Sequence, residues 1–115
     1  INPKIVETQI PGAGIMQLGF TLHEKMVFDA QGQLRNSSFP EYKIPGFLDL
    51  PGELVNEAVT AEQRSGPFGG KGVGETGTFG VSPAIANAIH DAVGVRLTEL
   101  PLSAESIFMA LNNAT

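Results

Sequence analysis

The chain has 115 residues, 42% of them hydrophobic, a net charge of −5 and no cysteine. That is enough for one small domain with a single core, and too apolar for disorder. Seven thinly spread basic side chains argue against nucleic-acid binding, and the missing cysteines exclude a disulfide framework, a Cys zinc site and a locally ligated iron–sulfur cluster.

The cysteine-free composition is compatible with a reducing cytoplasm, the expected location. No apolar run approaches the ~18 residues of a membrane span, and no signal peptide opens the chain. The start INPKIVETQ, without methionine, reads as the interior of a longer polypeptide.

Residues 1–10, with Ile5, Val6 and Ile10, predict a short strand. From Gly12 to Met26, the residues Ile15, Leu18, Leu22 and Met26 recur at helical spacing. Gly12, Gly14 and Gly19 each weaken that helix by roughly 1 kcal/mol relative to alanine, and tight packing of a neighbouring segment is the favoured reason for them. Met26 to Asn36 reads as a hairpin about Asp29-Ala30-Gln31-Gly32. Residues 37–52 carry Pro40, Pro45 and Pro51 and read as extended loop, with Tyr42 and Phe47 as buried anchors. Residues 53–60 predict a further strand.

The last third is more regular. Ser82-Pro83 reads as an N-cap and first helical residue, and Gly94 closes that helix after Val93. Ile85, Ile89, Ala92 and Val93 form its buried stripe, with Asn87, His90 and Asp91 on a solvated side. Val95 to Leu100 predicts a strand. Ser103 caps a final helix through Leu111, with Glu105 at its positive end and Ile107, Ala110 and Leu111 facing inward. Together these elements predict an α+β fold, helices packed on short mixed or antiparallel strands with a Gly-rich active-site loop.

Residues 66–77, GPFGGKGVGETG, are the most distinctive stretch. Glycines let a bulky ligand approach the main chain, and the single carboxylate of Glu75 is a candidate base. A plain connector has the same composition. Gly72 to Gly77 matches GxGxxG, but no hydrophobic strand precedes it and no helix starts within it, which argues against a dinucleotide fingerprint. A phosphate-binding P-loop also fails. The spacing from Gly66 to Gly70-Lys71 is one residue short, and Gly72 stands where Ser or Thr is needed. His23 and His90 have no metal-ligand spacing, and no Ser/His/acid triad is recognisable.

The ordered segments ETQIPGAGIMQLGFTLHEK, EYKIPGFLDLP and GPFGGKGVGETGTFGVSPAIANAIHDAVGVRLTELPLSAESIFMAL resemble the C-terminal end of the molybdenum-binding large subunit of the molybdenum hydroxylases, the xanthine dehydrogenase and aldehyde oxidase family. The resemblance spans nearly the whole chain. It implies that residues 1–115 are the C-terminal portion of the second molybdopterin-binding domain, a fragment of a larger subunit. It implies a molybdenum-dependent oxidoreductase that hydroxylates an aldehyde or an N-heteroaromatic carbon with water-derived oxygen, Glu75 acting as general base. Gln9, Gly72, Val73 and Gly74 would contact the molybdopterin-type cofactor, and no residue here would ligate the metal. Thr8 and the pair Met16-Gln17 depart from the family's usual glycine and Gln-Gly.

The implied partners are the remainder of the subunit and domains or subunits carrying iron–sulfur clusters and, in some members, FAD. An isolated fragment of this kind would be inactive. The alternatives are a noncatalytic assembly or scaffold domain derived from the same family and, more remotely, a nucleotide-binding module using residues 66–77.

Overall fold

The computed structural model describes residues 1–113. Three α-helices carry the fold: α1 (Pro3–Leu22), α2 (Val81–Val93) and α3 (Ala104–Asn113). Single 3₁₀ turns at Phe47–Asp49 and Pro67–Gly69 interrupt the long segment between α1 and α2.

Helix α1 begins where a strand was expected. Asn2 Oδ1 accepts the Ile5 amide at 3.4 Å, and Pro3 occupies the first helical position, where a missing N–H costs nothing. This cap outweighs the β-branched Ile5 and Val6. Pro11, inside the helix, has no N–H to give the Glu7 carbonyl. The Asn56 side-chain amide bonds that carbonyl instead, Nδ2 to O at 3.1 Å, and so ties the linker to the helix. The helix ends at Leu22, short of Met26, because the His23 and Glu24 amides both donate to the Gly19 carbonyl at 2.9 Å.

Gly19 is buried for a steric reason. A Cβ there would lie 2.7 Å from Pro45 Cδ and would strike the Glu24 carboxylate, so the proline-rich loop sits against this turn of α1. Tyr42 of that loop is half-buried, and the neighbouring Glu24 raises its phenol pKa, mainly through hydrogen bonding. Phe47 is no anchor: it is 86% exposed.

The expected α+β architecture is overturned, since no sheet forms among the described residues. The hairpin shrinks to one antiparallel bridge, Phe28 with Leu34. Its turn lies where expected, held by Asp29 Oδ1, which accepts the Gln31 and Gln33 amides at 3.0 and 2.9 Å. The Asn36 side chain then takes the place of further ladder, bonding the Val27 amide and the Lys25 carbonyl. Residues 53–60 and 95–100 form no strand: among the described residues no segment pairs with them, and a strand requires backbone partners.

Helix α2 packs on α1. Gly80, not Ser82, takes its N-cap position, and Gly94 closes it in the left-handed conformation, its amide donating to the His90 carbonyl at 2.8 Å. His90 is not on a solvated side: its Nδ1 is buried and unbonded among the described residues. Ala92 and Val93, expected to be buried, are exposed. Ser103 does cap α3, accepting the Ser106 amide at 3.1 Å.

The core is small and centres on Thr21, which is fully buried beside Leu102. Its Oγ1 donates to the Gln17 carbonyl at 2.6 Å and lies 2.7 Å from Ser82 Oγ. Gln17 Nε2 donates to the same Ser82 oxygen at 2.6 Å, and the Thr21 carbonyl accepts the Leu102 amide at 2.6 Å. One residue thus joins α1, α2 and the approach to α3.

Many other apolar side chains are exposed. Leu48, Val55, Val59 and Phe68 are all more than four-fifths exposed. The accessible surface of 8899 Å² is about half as much again as a compact protein of this mass presents. The radius of gyration, 17.9 Å, exceeds the roughly 13 Å of a compact domain of this length.

Removing the Thr21 hydroxyl at constant shape should loosen the α1–α2 junction. Thr21→Val in the complete polypeptide is expected to speed hydrogen exchange of the first-turn amides of α2 about tenfold, the equivalent of one buried bond's ~1–2 kcal/mol, while Thr21→Ser retains protection.

Candidate active site

The Gly-rich segment leaves the Pro67–Gly69 turn and runs past α1 before winding into α2. Phe68 has a positive φ of 53° and projects its ring into solvent, a conformation its sequence does not advertise. Gly69 to Val73 and Thr76 line a cavity of about 480 Å³ together with Val6 and Ile10 of α1 and residues 57–61. Lys71, among these lining residues, is exposed.

Gly72 and Val73 of the expected cofactor contacts therefore share this cavity. Gly74, Glu75 and Gln9 are not among its lining residues. Gln9 is exposed on α1, one residue before Ile10. The loop returns to that turn of the helix at Gly77, where a Cβ would stand 2.6 Å from the Ile10 carbonyl oxygen and 3.0 Å from Ala13 Cβ. Only a residue without a side chain lets the backbone come this close.

Gly72 and Gly74 differ from Gly77. A Cβ on either meets nothing within 4 Å, and neither has a positive φ. The packing of this chain does not require glycine at these positions. What their bareness provides is room beside the main chain for a bulky group.

Glu75 is exposed, and among the described residues its carboxylate has neither a hydrogen bond nor an ion pair. Its carbonyl, in contrast, is held twice. The Thr78 amide donates to it at 3.0 Å and Thr78 Oγ1 at 2.7 Å. The Val81 amide in turn donates to the Thr78 carbonyl at 3.2 Å, so successive turns run from Glu75 into α2. Ser82 then bonds Gln17 and Thr21 on α1. The result is a free carboxylate on an anchored backbone.

These anchors escaped the sequence reading. Thr78 and Ser82 are ordinary residues in ordinary positions, and Ser82 before Pro83 suggested a helix cap instead. The only local signal for Thr78 was a hydroxyl three residues after Glu75, a spacing common to many unremarkable turns. His23, on the C-terminal side of α1, and His90 make no site together, and among the described residues no cluster of His, Asp or Glu could hold a metal ion.

Residues 1–51 match the family model described as a molybdopterin cofactor-binding domain. That span includes Gln9 and α1 but ends before the Gly-rich loop. Similarity to individual proteins covers the loop as well. The probable hypoxanthine oxidase XdhD of Escherichia coli K12 is 36% identical over 111 residues, 96% of this chain and 12% of that protein. The aldehyde oxidoreductase molybdenum-binding subunit PaoC of the same organism is 35% identical over 93% of this chain and 15% of its own length. Quinoline 2-oxidoreductase from Pseudomonas putida 86 superposes with a TM-score of 0.87 at 31% identity, covering 97% of this chain and 14% of that one. The chain thus spans about one-eighth to one-seventh of the length of these relatives. With its helices, Gly-rich loop and sequence aligning almost end to end with such proteins, the chain belongs to the molybdenum-binding subunits of the xanthine dehydrogenase and aldehyde oxidoreductase family.

Proposed function

We propose that the chain is the C-terminal portion of the second molybdopterin-binding domain of a molybdenum hydroxylase and that Glu75 is the enzyme's general base. The observation that carries this reading is the free, exposed Glu75 carboxylate at the end of a loop whose glycines leave open space beside the backbone. An unbonded carboxylate can accept a proton from a reacting group brought within hydrogen-bond reach, without first breaking a bond of its own.

The residues present fit a large cofactor. Gly72 and Gly74 would let it approach the main chain, Val73 would give it an apolar contact, and Gln9 would offer a side-chain amide from α1. When bound, a molybdopterin-type cofactor supplies the oxidising centre that takes the electron pair from an aldehyde or N-heteroaromatic substrate. The chain's own contribution is to hold the carboxylate on the anchored backbone and to receive the proton at a Glu75 carboxylate oxygen. Iron–sulfur clusters, and FAD in some arrangements, would carry the electrons onward in partner domains or subunits. The cysteine-free composition is compatible with a reducing cytoplasm, where we place the enzyme.

The exposed apolar surface supports the same reading. The total accessible surface, polar and apolar together, exceeds that of a compact chain of this mass by about 2,900 Å², more than three times what one partner buries in a standard interface, an area suited to the remainder of a large subunit. The same surface is what a noncatalytic assembly domain would present, and the fate of Glu75 separates the two.

Glu75→Gln in the complete enzyme is expected to lower turnover about a hundredfold or more, with molybdenum and pterin content unchanged. Near-normal turnover would refute the base assignment and favour the assembly role. Gly72→Val and Gly74→Val, which this chain accommodates in open space, are expected to lower the retained molybdenum and pterin; full cofactor content in both would remove these glycines from the site.

A further inference from the structure

We propose that Thr78 is a positioning residue for Glu75, its side-chain hydroxyl fixing the main chain from which the carboxylate projects. This inference rests on Glu75 being the base.

Three observations converge on it. First, Thr78 Oγ1 donates to the Glu75 carbonyl at 2.7 Å, alongside the Thr78 amide at 3.0 Å, so that carbonyl is held by two donors from one residue. Second, Thr78 is itself tied to α2, its carbonyl accepting the Val81 amide at 3.2 Å, and α2 is fastened to α1 through Ser82. Third, Gly77 presses against the Ile10 carbonyl and Ala13, so the backbone between Glu75 and Thr78 cannot retreat from α1 without opening that contact.

These contacts act on the backbone and leave the carboxylate alone. A base must be both free to take a proton and confined near the reacting atom. The unbonded side chain meets the first demand. The doubly held carbonyl, bonded directly to the Cα from which the side chain springs, meets the second. The loop is thus glycine-rich before Glu75, where open space lies beside it, and hydroxyl-anchored after it.

The test uses the complete, cofactor-loaded enzyme with turnover normalised to bound molybdenum. Thr78→Val keeps the branched shape and removes the hydroxyl. It is expected to lower kcat between about ten- and a hundredfold with KM little changed, the size of effect produced by slight misplacement of a catalytic group. Thr78→Ser restores the hydroxyl and is expected to restore turnover. In the Glu75→Gln background, Thr78→Val should cost nothing further, because the base it positions is gone. Should Thr78→Val fail to load cofactor, Thr78→Ala is judged by the same criteria.

Wild-type turnover in the hydroxyl-free variant overturns the inference. So does Thr78→Ser as impaired as Thr78→Val, or an additive loss in the Glu75→Gln background. If Glu75→Gln is inactive while Thr78→Val is normal, only the positioning role fails. Normal turnover in Glu75→Gln overturns the base assignment itself, and this inference with it.

Discussion

Thr21 sits out of water with a bond in three directions: its hydroxyl to the Gln17 carbonyl and to Ser82, its carbonyl to the Leu102 amide. In a chain with so few buried residues, that small polar knot substitutes for an extended apolar core. It fixes the start of α2 against the end of α1 and draws the segment before α3 onto the same place. A buried hydroxyl left without partners costs about as much as the bonds it makes are worth, so the knot holds as a unit. The segment from Glu75 enters α2 just before Ser82, the residue that this junction holds.

The two ends of the Gly-rich segment behave differently. Before Glu75, Gly72 and Gly74 stand bare: a Cβ on either would meet nothing within 4 Å. After it, Gly77 is pressed onto α1, and Thr78 closes a turn back to Glu75. The distinction changes what the loop is. A glycine-rich sequence suggests freedom, yet the acid side chain follows the open part and precedes the clamped part. Leu48, Val55, Val59 and Phe68, all in the long segment between α1 and α2, are exposed. The relatives are some seven or eight times longer, and on the proposed reading the remainder of such a subunit covers that surface.

Local chemistry was legible and pairing was not. Gly94 closing α2, Ser103 opening α3 and Asp29 holding its turn each depend on a few adjacent residues, and each is found where the sequence pointed. The strands failed because a strand exists only if another segment supplies donors and acceptors, which alternation cannot reveal. At residues 1–10 the β-branched Ile5 and Val6 drew attention from Asn2-Pro3, the stronger local signal. Pro11 then disguised the length of α1, since its lost bond is made good by Asn56, 45 residues later. Glu75 was legible as a candidate because it is the acid side chain of a distinctive loop. Thr78, Ser82 and Thr21 were not, because a hydroxyl's partner is decided by tertiary contact.

The account turns on a carboxylate that is free in this segment and faces a group held by the rest of the polypeptide. The most direct measurement is a crystal structure of the complete, cofactor-loaded subunit. The prediction is that the Glu75 carboxylate points into the cofactor cavity without a protein partner, within hydrogen-bond reach of the reacting group, with Thr78 still bonded to its carbonyl. A carboxylate locked in an ion pair beneath packed side chains, or turned to bulk solvent away from the cofactor, would contradict it.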